Sequence, residues 1–307
     1  MSATTILLYG RTGSGKSTQL GVLAEYVQKT LGKKTRIYTA DRGGLDPILP
    51  YITLGIVEVV EIEDADPWIF INRAAKGYIR DAARKWVLDK TRNTEIGLYA
   101  FESAHSIAKL MKLDIERKAA LGINIGGDTN TTFEVAGDGE KLKIGTTKGY
   151  QKFSIPQTRI SEEIMESQKL PAEYVLWTAG ASKEDDDINT TKVVGPDILG
   201  KALTTTLPQD FHYTFRMDVV SAQGNAPERH ILYLGNHVDI SMGNASALGN
   251  IRRPLDASPL KKLTIEPADI GKALDLVRFE AQKEAVEVIK RRLALKVTPQ
   301  PITFKVG

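Results

Sequence analysis

Residues 10–17 read Gly-Arg-Thr-Gly-Ser-Gly-Lys-Ser, the spacing G-x-x-x-x-G-K-[ST]. That combination suits a chain of phosphates. Several backbone N–H donors must point inward at once, and glycine permits such a path and a close approach. A helix starting directly after the loop adds its positive end. Lys16 then reaches the β and γ phosphates, and the Ser17 hydroxyl goes to Mg²⁺. The expected cradle is Gly10, Arg11, Thr12, Gly13, Ser14, Gly15, Lys16, Ser17 and Thr18. It specifies a nucleoside triphosphate but not the base.

A site of this kind also needs an acidic group at the end of a neighbouring strand, holding Mg²⁺ through water. Glu102, after the apolar "IGLYAF", takes that place and forms the metal set with Ser17. Hydrolysis needs a group that orients the attacking water. Asp41, ending "RIYTAD", is the candidate, although an Asp before Gly-Gly also initiates turns unaided.

Elements must position these groups. "TILLY" (5–9) reads as a buried strand and Lys16 to about Gly32 as a helix, with apolar residues at helical spacing. Strands are predicted at 35–40, 55–62, 95–101 and 172–180, and helices at 67–89, about 106–118, about 158–168 and 269–296. Two late stretches, "DFHYTFRMDVV" and "ERHILYLGN", are β-like. "VVGPDILGKAL" reads as a Gly/Pro segment, and 121–148 and 241–258 as loops. Strands alternating with helices imply an α/β fold with a mostly parallel sheet flanked by helices. The expected division is a core over 1–258, with 121–148 inserted, and a helical extension and tail over 259–307.

The 307 residues carry a net charge of only +3, so no global basic field points to nucleic acid. The absence of cysteine excludes disulfides, thiolate catalysis and Cys-ligated zinc. Neither a secretion signal nor a membrane span is expected, which places the chain in the cytoplasm, that of the host if it is phage-encoded.

The order of segments resembles the RecA-like branch of P-loop ATPases, from about Ile6 to Gly235. "TRIYTADRGGLDP" is similar to the second-strand segment of strand-exchange proteins, and "GLYAFESAHSI" to the metal-site strand. "YVLWTAG" is similar to the strand whose polar end senses the γ-phosphate, which maps that role to Thr178. "GPDILGKAL" and "LPQDFHYTFRMD" resemble segments of small phage-encoded ATPases of recombination and single-strand annealing. The resemblance implies a RecA-like core, use of ATP and Mg²⁺, a homo-oligomer with nucleotide between subunits, and single-stranded DNA as partner. Three features depart from the family pattern: Glu102 in place of Asp, Thr178-Ala179-Gly180 at the sensing strand's end, and the acidic run Glu184–Asp187 where a DNA loop is expected.

Other cations fit that picture. Lys201, Arg252 and Arg253 could reach a neighbouring subunit's γ-phosphate, or be solvated turns. Lys141, Lys143, Lys148 and Lys152 with Tyr150 and Phe153 mix charge with rings, as single-strand binding requires, but they also suit a surface loop. The four histidines (105, 212, 230 and 237) show no metal spacing and receive no role. Alternatives to the recombination reading are a DNA-translocating motor, a small-molecule kinase, and an assembly protein that binds nucleotide with little turnover.

Overall fold

A computed structural model describes residues 3–62, 67–92, 94–120, 131–134, 141–144, 151–186, 191–198, 201–220, 228–235, 237–239, 245–248, 250–251 and 264–294. The first half runs β1 (Thr4–Gly10), α1 (Lys16–Leu31), β2 (Lys34–Thr39), α2 (Leu49–Thr53), β3 (Val57–Glu61), α3 (Pro67–Ala75), β4 (Tyr78–Arg80), β5 (Trp86–Leu88), β6 (Ile96–Glu102) and α4 (Ala104–Ala120). It continues with β7 (Thr131–Glu134), β8 (Lys141–Ile144), α5 (Gln151–Ser167), β9 (Tyr174–Asp186), β10 (Thr191–Asp197) and α6 (Lys201–Thr206). The last part is β11 (Tyr213–Val220), β12 (Arg229–Tyr233), β13 (His237–Asp239), β14 (Ala245–Ala247), β15 (Asn250–Ile251), β16 (Thr264–Ile265) and α7 (Ile270–Ala294).

Six strands, in the order β3-β2-β6-β9-β1-β11, are parallel throughout. β12 and β16 extend the sheet antiparallel beyond β11. This is the α/β class expected from the sequence, a mostly parallel mixed sheet with helices on both faces.

The apolar runs are continuous because both faces are covered. Leu7, Tyr9, Tyr99, Phe101, Val175 and Trp177 face one layer, which contains Ile71 of α3, Ile107 of α4 and Ile164 of α5. Ile6, Leu8, Leu98, Ala100, Tyr174 and Leu176 face the other, which contains Leu20, Leu23 and Val27 of α1. Ile270, Ala273, Leu274 and Val277 of α7 join this second layer. The first turns of the final helix, with β16 beside β12, are therefore packed into the core.

Three expectations are corrected. The helix expected over 67–89 stops at Ala75, because Gly77 turns the chain at φ +81°. A β4–β5 hairpin follows, closed by Arg84 at φ +59°, with Arg80 stacked 4.7 Å over Trp86. "VVGPD" is strand, not Gly/Pro loop. It pairs antiparallel with an extension of β9, so the acidic run lies largely within a strand. Pro196 is tolerated past Val193–Val194, where β14 adds on the other side. Residues 131–134 and 141–144, inside the segment read as loop, form the antiparallel pair β7–β8. No helix among the described residues is long and apolar enough to cross a membrane.

Candidate functional site

Register alone brings the chemistry together. Leu8 of β1 pairs with Thr178 of β9 and Tyr9 with Ala179. Phe101 of β6 pairs with Trp177, and Glu102 with Thr39 of β2. Thr178, Glu102 and Thr39 thus stand in a row on adjacent strands at the carboxyl edge of the parallel sheet, with Gly10 two residues past Leu8 on β1. Open α/β sheets bind their ligands at that edge. A cavity of about 620 Å³ lies there, lined from the loop by Thr12, Gly13 and Gly15–Thr18, and from the other strand ends by Asp41, Glu102, Thr178 and Asp197.

The loop between β1 and α1 has the form its sequence demands. Gly15 sits at φ +91° immediately before the helix, a conformation that L side chains rarely adopt. Lys16 Nζ donates to the carbonyls of Gly10 at 2.9 Å and Arg11 at 3.0 Å, which holds the ammonium across its own loop. Burial draws the Lys16 pKa down, and nearby Glu102 works against that. Ser14 is buried, and its Oγ has no hydrogen-bond partner.

Ser17 Oγ donates to Glu102 Oε1 at 2.7 Å. Glu102 is only 5% exposed and its Oε2 makes no hydrogen bond. Burial raises the Glu102 pKa, with Asp41 adding to the rise, while the Ser17 hydroxyl, the Thr39 hydroxyl and Lys16 oppose it. A carboxylate in that position has one oxygen already on the loop serine and one uncommitted. Among the described residues no group of three or more His, Cys, Asp or Glu could hold a metal on its own.

Thr178, 2% exposed, accepts a 2.7 Å hydrogen bond from the Ser103 amide. Ser103 has φ +62°, and its Oγ accepts from the Ser106 amide at 3.2 Å, capping the start of α4. Asp41 begins a short 3₁₀ turn, its Oδ1 accepting from the Gly43 amide at 3.0 Å. The turn role expected for Asp41 is therefore present, in a residue that also lines the cavity.

Two groups that received no role from the sequence are at the site. His230 of β12 donates from Nδ1 to the Ser14 carbonyl at 3.0 Å, bracing the loop from a distant segment. His105, in the first turn of α4, places Nδ1 3.2 Å from Asp197 Oδ2. No local pattern announces either contact, since the partners are far apart in the chain.

The side chains of the other candidate cations lie outside the described ones. Arg252, Arg253, Lys148 and Tyr150 lie outside the described residues. Lys201 begins α6, Lys141 and Lys143 fall on β8, and Lys152 and Phe153 on the first turn of α5, where only the backbone is described.

No protein-family model matches the chain, and no curated protein matches it. Among solved structures it is similar to the KaiC-like protein PH0186 of Pyrococcus horikoshii OT3, at 13% identity over 80% of this chain and 89% of that one, with a TM-score of 0.36. It is also similar to the flagellar accessory protein FlaH of Methanocaldococcus jannaschii, at 10% identity over 75% and 77%, again with a TM-score of 0.36. Likeness at that level carries no weight in assigning chemistry to this site.

Proposed function

We propose that this chain is a RecA-like nucleoside triphosphatase that binds and hydrolyses ATP with Mg²⁺. Its proposed setting is single-stranded DNA in phage-type recombination or replication, in an assembly with nucleotide between subunits. The observation that carries the nucleotide reading is the 2.7 Å pair of Ser17 Oγ and Glu102 Oε1, with Lys16 beside it on the same loop. The DNA reading rests on the segment order and on the lysines and aromatic residues between Lys141 and Phe153.

The residues fit a hard cation. Mg²⁺ favours one or two carboxylates together with phosphate oxygens and water. Ser17 and Glu102 would hold it, and the buried, uncommitted Oε2 of Glu102 is a ready ligand. Bound there, Mg²⁺ would neutralise charge on the β and γ phosphate oxygens. Lys16 and the loop amides would hold the phosphates themselves. Asp41 would orient water through Oδ2, since Oδ1 is engaged by Gly43. Thr178 would report the γ-phosphate through the amide of Ser103.

A second reading, nucleotide-dependent assembly with little turnover, is favoured by that same Thr178 hydroxyl already being engaged by Ser103. One experiment separates them: nucleotide binding and phosphate release with Mg²⁺, with and without single-stranded DNA, over a salt series, beside Lys16→Ala. DNA-stimulated release that weakens with salt and disappears in Lys16→Ala supports the hydrolase on DNA. Tight binding with a change in particle size but no release supports the assembly reading. Equal binding by Lys16→Ala and the parent chain overturns the site.

A further inference from the structure

The proposed hydrolase needs a group that takes the proton of the attacking water. Asp41 is an indifferent acceptor, since one of its oxygens is held by a turn amide. The cavity wall also contains His105 and Asp197, and His105 Nδ1 lies 3.2 Å from Asp197 Oδ2. We propose that His105, held by Asp197, is the proton acceptor for water attack on the terminal phosphate; this rests on the nucleotide-hydrolase reading above.

Three features of the fold converge on this pair. Asp197 is the last residue of β10 and pairs with Gly180 of β9, two positions past Thr178. A Cβ on Gly180 would sit 3.2 Å from Asp197 Cβ and 3.5 Å from its Oδ2, so the missing side chain makes the room the carboxylate occupies. His105 lies in the first turn of α4, and the start of that helix is fixed by Thr178 through the Ser103 amide. The sensing strand therefore places both members, Asp197 by pairing and His105 through the helix start.

The chemistry follows from the orientation of the ring. A proton on Nδ1, which lies 3.2 Å from the carboxylate, would leave the lone pair on Nε2, and a carboxylate neighbour favours that tautomer and stabilises the imidazolium. The water oxygen bonds to the γ-phosphorus, and the bond to the β–γ bridging oxygen breaks. The diphosphate leaves with that electron pair. The water's proton passes to His105 Nε2 and then to solvent. His105 touches a reacting atom and is catalytic in this scheme, while Asp197 is a positioning residue. An exposed ion pair with no part in the reaction would leave turnover unchanged in every variant of the pair.

The test uses the full chain with ATP and Mg²⁺, measuring nucleotide Kd by a fluorescent analogue and kcat by phosphate release, for His105→Ala, His105→Gln, Asp197→Asn and Asp197→Glu. The expected result is a kcat lower by about 100-fold or more in both His105 variants, with Kd changed by less than about twofold. Added imidazole should restore part of the His105→Ala loss. Asp197→Asn should lower kcat by about tenfold or more, and Asp197→Glu should recover some of it. An unchanged kcat in His105→Gln, or a Kd that weakens in step with kcat, overturns the proposal. Failure of the broader reading has a different signature: the parent chain binds no nucleotide, or Lys16→Ala binds it equally well.

Discussion

Ser17 and Glu102 are 85 residues apart, and a 2.7 Å hydrogen bond joins the loop serine to the end of β6. The bond spans the strand between them, because β9 separates β1 from β6. The two residues proposed for one cation are therefore already in contact. Ser17→Ala is expected to remove the dependence of nucleotide affinity on Mg²⁺ while leaving weak binding through Lys16. Titrating nucleotide with and without Mg²⁺ checks this; a preserved Mg²⁺ effect argues against the pair as cation ligands.

Glu102→Gln keeps the size of the side chain and a carbonyl oxygen for Ser17 to donate to. It removes a carboxylate whose ionised form is disfavoured by burial. Because the folded pKa is raised, the native carboxyl holds its proton longer than the unfolded one, so stability falls as pH rises through that interval. The variant is expected to lose the Mg²⁺ effect yet melt at a higher temperature than the parent at neutral pH without nucleotide. Melting curves at pH 4 and pH 7.5 report the second half of the claim, since the gain should shrink at the acid end.

Gly15→Ala would force an alanine to φ +91°, with its Cβ 3.2 Å from His230 Nδ1. A left-handed backbone costs an L residue about 1–2 kcal/mol, and the ring must also shift. Stability should fall by about that amount, and nucleotide binding by more than stability alone explains. Binding measured well below the melting temperature separates the two effects.

Glu163 of α5 is 5% exposed and accepts from Asn72 Nδ2 at 2.9 Å, with Oε2 unpartnered. Burial lifts its pKa from 4.5 to about 7. The stability linked to this group is fully present below pH ~4.5 and is lost as pH rises to ~7. Glu163→Gln should flatten that part of the stability profile and be more stable above pH 7 by on the order of 2 kcal/mol. Urea unfolding across pH 5–8 measures it.

Asp89, just after the β4–β5 hairpin, is buried and forms an ion pair with Arg36 of β2. Arg36 has a second partner in Glu58 at 3.1 Å, which is half exposed. Asp89→Ala leaves the buried guanidinium, which also lies over the Tyr99 ring, with the half-exposed Glu58 as its remaining carboxylate, and a loss of about 3 kcal/mol is expected. Replacing Glu58 by Gln should cost far less, so comparing the two by denaturant unfolding tests which carboxylate holds the arginine.

The sequence revealed most where the chemistry is local. The phosphate loop, the strand before it and the helix after it are contiguous, and the apolar runs of β1, β6 and β9 reveal strands covered on both faces. Helical spacing misled past Ala75 because Ile79, Ala83 and Val87 fit either period, and only Gly77 and the Arg80–Trp86 stack decide for a hairpin. "VVGPD" reads as a break because Pro and Gly usually are one, whereas here the partner strand determines the outcome. His230, His105 and Asp197 were silent for a related reason. Each acquires its role from a residue far away in the chain, and a lone histidine has no spacing to betray it.

Gly10, Thr178, Glu102 and Thr39 follow Leu8, Leu176, Ala100 and Ile37 at an interval of two on their strands. A strand has parity, so moving β9 by one residue would turn Thr178 toward the aromatic layer and Trp177, now stacked 4.4 Å from Phe101, toward the loop. A molecule threaded that way would keep its phosphate loop and lose the sensing residue. Molecules that turn nucleotide over and molecules with β9 in its place would then be one population. A single-turnover burst of phosphate release would count them, giving the fraction of a preparation whose sensing strand has found its neighbours.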